Sequence, residues 1–142
     1  MTNPSLPDLP SALIRVALTD LQVIQKNPAY NIKMSMWHMT LVDDEETICQ
    51  VCLAGAVMAN TLNADITRDM SPQDYSRVDA RKLDALDDFR NGHVGRAFKV
   101  LNIPRHPTIP WYVAIDPYDP DYPNIFINAM SDMADMLEKA GY

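Results

Sequence analysis

The sequence predicts an α+β fold: a mainly helical single domain, residues 1–142, with a small antiparallel sheet of two or three strands. Several long segments repeat apolar residues at helical spacing, and two shorter segments either alternate in polarity or are rich in aromatic and β-branched residues. The most apolar segment is 47–62 (TICQVCLAGAVMANTL). Its small residues would let neighbouring backbones approach closely, so we interpret it as a central helix surrounded by other elements.

The first part of the chain predicts a lead-in, a helix and a strand. Residues 1–10 contain three prolines and form an extended lead-in. Ser11 is a suitable N-cap for a first helix that ends near Pro28. From Tyr30 to Thr40 the polarity alternates, which is typical of a strand. The acidic run 43–46 would then precede the central helix and interact favourably with its dipole.

The middle of the chain predicts two further helices. Residues 71–74 (SPQD) combine a Ser cap with Pro and Asp in the first turn, so a charged helix begins there and continues to Arg90. Asn91 and Gly92 end that helix. Residues 94–101 form another, shorter one.

The last third is rich in proline. Six prolines lie between residues 104 and 123, so we expect a stiff loop region there. Residues 111–115 (WYVAI) are the second strand candidate and could pair with the 30–40 strand. A last helix begins at Pro123 or Asn124 and runs through Lys139. Its predicted buried positions are Ile127, Met130, Met133 or Ala134, and Leu137.

Charge limits the classes of partner. The formal net charge is −7, whereas nucleic acids and anionic membranes bind clustered Lys and Arg. The charge therefore argues against direct contact with either and permits a basic protein partner. No basic segment followed by an apolar core marks a secretory signal, and no apolar run reaches the roughly 18 residues of a membrane span. We expect a cytoplasmic protein.

The pair Cys49 and Cys52 admits three interpretations. A C-x-x-C pair is half of a tetrahedral zinc site, which His38, His93 or His106 would have to complete from an unfamiliar spacing. It could also be a redox pair at a helix N-terminus. We favour the third interpretation, in which both thiols are small core residues of the central helix.

A cysteine nucleophile is a separate hypothesis for the same region. His38 would end a strand, and Cys49 would open a helix whose N-terminus favours a thiolate. Asp43 or Asp44 would orient the imidazole. The order His, acid, Cys occurs in cysteine proteases, but no substrate-binding signature accompanies it here.

A basic and aromatic cluster follows in the Pro-rich region. Arg105 and His106, close to Trp111 and Tyr112, could hold a phosphate or a nucleobase. No glycine-rich loop supports nucleotide binding. A polar loop capped by aromatic residues is the simpler interpretation.

A partner-binding surface is predicted from the C-terminal region. Its residues are Tyr118 and Tyr122 of the Pro-rich loop, with Met133 and Met136 of the last helix. Methionine suits adaptable interfaces, although a place in the core is the favoured interpretation of the methionines of the last helix. Either the central or the last helix could also mediate a homo-oligomer.

Two segments carry a resemblance to a known family. Trp37-His38, followed by residues 49–59 (CQVCLAGAVMA), resembles a pattern in small proteins of tailed bacteriophages. Residues 82–86 (KLDAL) with 89–92 (FRNG) are similar to a second segment of that family. The resemblance implies a phage accessory protein that acts in the cytoplasm of an infected bacterium, and it implies no catalytic residues.

These observations predict a small acidic binding protein that acts by protein–protein interaction on a host or phage factor. An enzyme is the less favoured class, and no cofactor is predicted. The alternative is a Cys/His-dependent enzyme or a zinc-binding protein that uses His38, Cys49 and Cys52. A further alternative is a protein that sequesters a small ligand such as a nucleotide.

Overall fold

The computed structural model describes residues 6–43, 46–116 and 124–142. The predicted class, a mainly helical α+β fold, is confirmed. The elements are α1 (Pro10–Gln25), β1 (Tyr30–Ile32), β2 (His38–Asp43), β3 (Glu46–Val51), α2 (Leu53–Ala59), α3 (Arg77–Arg90), α4 (Val94–Val100) and α5 (Asn124–Lys139). None of the helices in these ranges is both long and apolar enough to cross a bilayer.

The sheet is mixed rather than antiparallel, which corrects the prediction. Its strand order is β1-β3-β2, with β3 antiparallel to β2 and parallel to β1. The chain reverses direction between β1 and β2 and again between β2 and β3, so β1 and β3 point the same way. The predicted single strand 30–40 is therefore two strands, separated by a turn in which the Met36 N–H donates to the Lys33 carbonyl.

The segment 47–62 is not the single central helix that was predicted but a strand followed by a short helix. Its first part is β3, where Cys49 and Val51 are buried and Ile48 and Gln50 are only partly buried. Cys52 is extended and caps α2, because its Sγ accepts the Gly55 N–H at 3.4 Å. The periodicity of a short apolar run is not enough to distinguish a strand from a buried helix.

The described members of the acidic run 43–46 lie in strands and not at a helix N-terminus. Asp43 ends β2 and pairs with Glu46, which begins β3. Asp44 and Glu45 lie outside the described residues. Because β3 separates Glu46 from α2, the interpretation of this run as the entrance of the central helix is wrong.

The small residues of α2 do allow close approach, as predicted. Ala54, Gly55 and Ala56 are buried. A Cβ atom on Gly55 would lie 1.6 Å from the Trp37 carbonyl oxygen, so only glycine lets α2 pack on the turn between β1 and β2. The short helix is held in the middle of the fold by this contact and by α1 and α3.

Two long amphipathic helices, α1 and α5, pack against each other and cover one side of the core. Arg15 of α1 pairs with Asp135 and Glu138 of α5, at 2.7 and 2.6 Å. Ser11 is not the N-cap of α1, because the helix begins at Pro10 and the Ser11 hydroxyl donates to the Tyr142 carbonyl. The predicted core positions Met130, Met133, Ala134 and Leu137 are buried, as is Phe126, whereas Ile127 is only partly buried.

The predicted helix start at Ser71 forms only one turn. Ser71 and Asp74 make the predicted capping box, but it closes a single 3₁₀ turn, Pro72–Asp74. The chain is extended again at Tyr75, and α3 begins after its own cap, Ser76. Lys82 of α3 is buried and donates to the Leu6 carbonyl at 2.6 Å, which anchors the described part of the N-terminal lead-in.

Residues 111–115 do not form a strand, which corrects the second strand prediction. The Trp111 carbonyl accepts the Gly95 N–H at 3.0 Å, and the Val113 N–H donates to the Gly92 carbonyl at 2.9 Å. The backbone of this segment is therefore hydrogen-bonded to the corner between α3 and α4, and it does not join the sheet formed by β1, β2 and β3.

Candidate functional site

The helix α4 presents two cations to solvent. Its inward positions Val94, Ala97 and Phe98 are buried, so Arg96 and Lys99, three residues apart, lie on the exposed side. The other residues of the site come from the turn before α4 and from the segment 105–112. We call the set His93, Arg96, Lys99, Arg105, Trp111 and Tyr112 the Trp111 surface.

Glycine positions the tryptophan on α4. A Cβ atom on Gly95 would lie 1.6 Å from the Trp111 ring, and a Cβ atom on Gly92 would lie 1.9 Å from the Val113 carbonyl oxygen. Gly92 also has φ +81°, a conformation that glycine adopts without strain. Both glycines are needed for the segment 111–113 to cross the α3–α4 corner. The indole ring is thereby held against the helix while 56% of Trp111 stays exposed.

Two cations lie over the Trp111 ring. The Arg105 Cζ atom is 3.8 Å from the ring centroid, and the Lys99 Nζ atom is 5.6 Å from it. Arg105 is further fixed by a hydrogen bond from its Nη2 to the Ile109 carbonyl. Cations above an indole face interact with its negative quadrupole, so this arrangement is held in place before any ligand arrives.

Tyr112 completes an open cleft beside the tryptophan. Its ring centroid is 5.4 Å from that of His93, and 54% of Tyr112 is exposed. The cleft has a volume of about 370 Å³ and is lined by His93, Arg96, Lys99, Trp111 and Tyr112. It combines two aromatic faces with two cationic side chains, which suits an anionic group attached to an apolar or planar one.

The predicted ligand cluster is partly assembled. The structure brings Arg105 and Trp111 into contact and places Tyr112 next to them. His106 does not line the cleft, because its Nδ1 is 2.7 Å from the Thr108 hydroxyl and its ring lies near Tyr142. Arg96 and Lys99 were not predicted as members of the site. Their spacing on one helix face was visible, but their approach to Trp111 is not a local property.

The carboxylate of Asp88 borders the Trp111 surface on the α3 side. Asp88 lies 4.0 Å from the Arg96 guanidinium, whereas Asp87 is paired with Arg90 and lines a different cleft beside Trp37. Burial raises the pKa of Asp88 above its ordinary value, and the same cause raises the pKa of Asp84. The cationic area is therefore small and has an acidic edge.

His38 lies in the core and is not paired with the predicted acid. Its Nδ1 donates to the Arg68 carbonyl at 2.9 Å, which fixes the tautomer, and its Nε2 is buried with no hydrogen-bond partner among the described residues. Burial lowers the pKa of His38, although the carboxylates of Asp69 and Asp65 act in the opposite direction. Asp43 lies at the other end of β2.

Both cysteines are buried in the core, as the favoured interpretation predicted, but they do not share a helix. Cys49 lies in β3 opposite Thr40, and Cys52 caps α2. Burial raises the pKa of each thiol to about 11, so both are protonated at neutral pH. The hypothesis that Cys49 opens a helix and becomes a thiolate is wrong. Across the part of the chain that the structure describes, no three His, Cys, Asp or Glu side chains are grouped as metal ligands would be.

The predicted partner-binding residues do not form one described surface. Met133 is buried in the core, which removes it from any docking face. Met136 is only partly buried and lines a groove of about 510 Å³ with Ile109 and Asp132. Tyr118 and Tyr122 lie outside the described residues.

Acidification is expected to destabilise the fold through His38. Because the folded state lowers the pKa of His38 from 6.5, the unfolded chain takes up this proton first as the pH falls. The contribution of neutral His38 to the free energy of unfolding is therefore fully present above about pH 6.5. It declines as the pH falls below that value, by at most about 1.4 kcal/mol per pH unit for one proton.

Urea unfolding at pH 7.5, 6.5 and 5.5 tests this expectation. In His38→Asn, whose amide can still donate to the Arg68 carbonyl, we expect a smaller loss on acidification than in the unmodified chain. His106→Asn, at an exposed histidine, is the matched control and should retain the full loss. Carboxylates whose pKa is raised in the folded state, such as that of Asp88, act against this loss of stability, so the difference between variants is the informative quantity. Equal pH dependence in all three proteins would contradict the role assigned to His38.

No protein-family model, curated protein or solved structure matches this chain.

Proposed function

We propose that this chain is a small binding protein that docks on a partner protein through the Trp111 surface. The observation that carries the proposal is the exposure of two neighbouring aromatic side chains, 56% for Trp111 and 54% for Tyr112, in positions fixed by the backbone and flanked by cations. Large aromatic residues left in water cost free energy unless a partner covers them.

The composition of the Trp111 surface supports docking on a protein. Tryptophan, tyrosine and arginine are the residues that most often dominate the binding energy of protein interfaces. Here Arg105 is stacked on Trp111, and Trp111 is seated on Gly95. Little side-chain freedom is lost when such rings are buried, so the surface is preorganised for binding.

The proposed setting comes from the resemblance of residues 30–92 to small proteins of tailed bacteriophages. We propose that the chain acts in the cytoplasm of an infected bacterium and that the partner is a host or phage protein. Self-association through a helix stays a prediction.

A second candidate function is the sequestering of a small anionic ligand such as a nucleotide. The observation that favours it is the cleft of about 370 Å³, which is within the lower part of the range for ligand pockets. A base could stack on Tyr112 while a phosphate contacts Arg96 and Lys99. The open shape of the cleft favours a protein segment over an enclosed small molecule.

Truncation of Trp111 is expected to weaken partner binding about thirtyfold, because loss of an aromatic hot spot costs about 2 kcal/mol. The immobilised chain would be used to isolate partners from a bacterial host lysate, and the affinity of the purified pair would then be measured by calorimetry. Ile125→Ala, at an exposed apolar residue of α5, is the control and should bind as the unmodified chain does.

Gly95→Ala provides a second route to the same test. The added methyl group displaces the indole ring without removing it, while alanine is the better helix former. We expect weaker binding with no loss of helix stability. Unchanged affinity in both Trp111→Ala and Gly95→Ala would exclude the Trp111 surface as the docking site. Native mass spectrometry that reveals a co-purified nucleotide, released in Trp111→Ala, would favour the second candidate instead.

A further inference from the structure

We propose that the segment recognised by the Trp111 surface is a short acidic stretch of the partner protein, with Asp or Glu side chains next to an apolar one. This inference rests on the proposed function and adds the chemistry of the partner. The local positive charge of the Trp111 surface supports this inference. The chain as a whole has a formal charge of −7, yet Arg96, Lys99 and Arg105 come together around one exposed indole ring.

The positions of the cations match carboxylate groups on both sides of an apolar contact. Arg96 and Lys99 line the cleft from α4, and Arg105 lies over the Trp111 ring from the preceding loop. A carboxylate beside α4 can accept hydrogen bonds from Arg96 or Lys99. An apolar or aromatic side chain of the same segment would then cover the exposed part of Trp111 or Tyr112.

A carboxylate of α3 limits the length of the acidic segment. Asp88 is 4.0 Å from Arg96, so the field changes sign at the edge of the cleft. A long polyanion that crossed this edge would meet like charge. A nucleic acid needs an extended row of cations along its backbone, whereas this site offers one compact group. A short acidic peptide satisfies the cations without reaching α3.

His93 adds a hydrogen-bond donor to the cleft. Its ring centroid is 5.4 Å from that of Tyr112, and it lines the same cleft as the two cations of α4. A ring N–H of His93 can donate to a carboxylate of the partner.

Peptide binding monitored by Trp111 fluorescence tests the inference. The chain contains two tryptophans, so a Trp37→Phe background leaves Trp111 as the only reporter. The probes are a peptide of about eight residues with Glu on both sides of one Phe, its Gln counterpart and its Lys counterpart, with a deoxythymidine oligonucleotide and inorganic phosphate as further ligands. We expect the Glu peptide to bind at least tenfold more tightly than the Gln peptide, and the Lys peptide not to bind.

Charge reversal should remove this preference. We expect Lys99→Glu with Arg96→Glu to weaken binding of the Glu peptide at least tenfold, and about 0.5 M salt to act similarly because exposed charges are screened. Lys26→Glu with Lys139→Glu, an equal change in charge at exposed positions at the ends of α1 and α5, should have little effect.

Each outcome bears on one of the two proposals. Equal binding of the Glu and Gln peptides, or tighter binding of the oligonucleotide or of phosphate alone, would overturn the acidic-segment inference. If the lysate partner still depends on Trp111 in that case, docking stands and only its chemistry is wrong. If Trp111→Ala retains the lysate partner, the docking proposal itself fails.

Discussion

Gly55→Ala is expected to lower the free energy of unfolding by about 3 kcal/mol, although alanine is the better helix former by about 1 kcal/mol. The reason is steric. The new Cβ atom would lie 1.6 Å from the Trp37 carbonyl oxygen and 3.0 Å from the Val51 Cβ atom. Its main neighbour is backbone, which cannot rotate away as a side chain can. Either α2 or the turn between β1 and β2 must shift.

Urea denaturation of Gly55→Ala against the unmodified chain gives this difference directly. Gly141→Ala is the matched control. At Gly141 an added Cβ atom has no neighbour within 4 Å, and only the positive φ of +88° opposes the substitution. That conformation costs an alanine roughly 1 kcal/mol. Losses of similar size in the two variants would show that close packing of α2 is not the cause.

Elements whose apolar positions alternate with charged ones were predicted well. In α1, α3 and α5 a polar face marks the helical period, so the type of all three and the approximate ends of α1 and α5 could be read locally, whereas the start of α3 was predicted at Ser71 instead of Ser76. The segment 47–62 has no charged face that would indicate a helical period. It becomes β3 and α2 because β3 finds pairing partners on both sides, in β1 and in β2, and those contacts exist only in the folded chain.

The strand prediction for residues 111–115 was wrong for a related reason. Their aromatic and β-branched composition suits a strand, but strand formation needs an unpaired edge. Gly92 and Gly95 instead offer a backbone without side chains, and the segment lies across them. Glycines at positions 92 and 95 are visible in the sequence, yet nothing local indicates which distant segment they accommodate.

The same limit applies to the candidate site. Arg105, Trp111 and Tyr112 were recognisable as a group because they are close in the chain. The sequence did not indicate that the group also includes His93, Arg96 and Lys99, because these residues join it only when Trp111 packs on Gly95 of α4. The placement of both cysteines in one helix was wrong for a different reason. Cys49 and Cys52 are close in sequence, but they lie in a strand and at a helix cap, both buried.

Phe98→Ala is expected to have the largest effect, a loss of about 4 kcal/mol in the free energy of unfolding, because a fully buried aromatic ring is replaced by a cavity. The helix α4 has only seven residues and cannot persist without packing. The Phe98 ring is 5.1 Å from that of Tyr142, whose hydroxyl donates to the Pro104 carbonyl next to Arg105. Removing Phe98 therefore loosens both sides of the Trp111 surface.

Phe126→Ala separates this local effect from general instability. Phe126 is equally buried but lies in the first turn of α5, so we expect a comparable loss of stability. In the Trp37→Phe background and below the unfolding transition, the Trp111 emission should change in Phe98→Ala and not in Phe126→Ala. Such a difference means that Phe98 is a positioning residue for the binding surface as well as a core residue. Identical emission in both variants would restrict Phe98 to a purely structural contribution, with the Trp111 surface held by Gly92 and Gly95 alone.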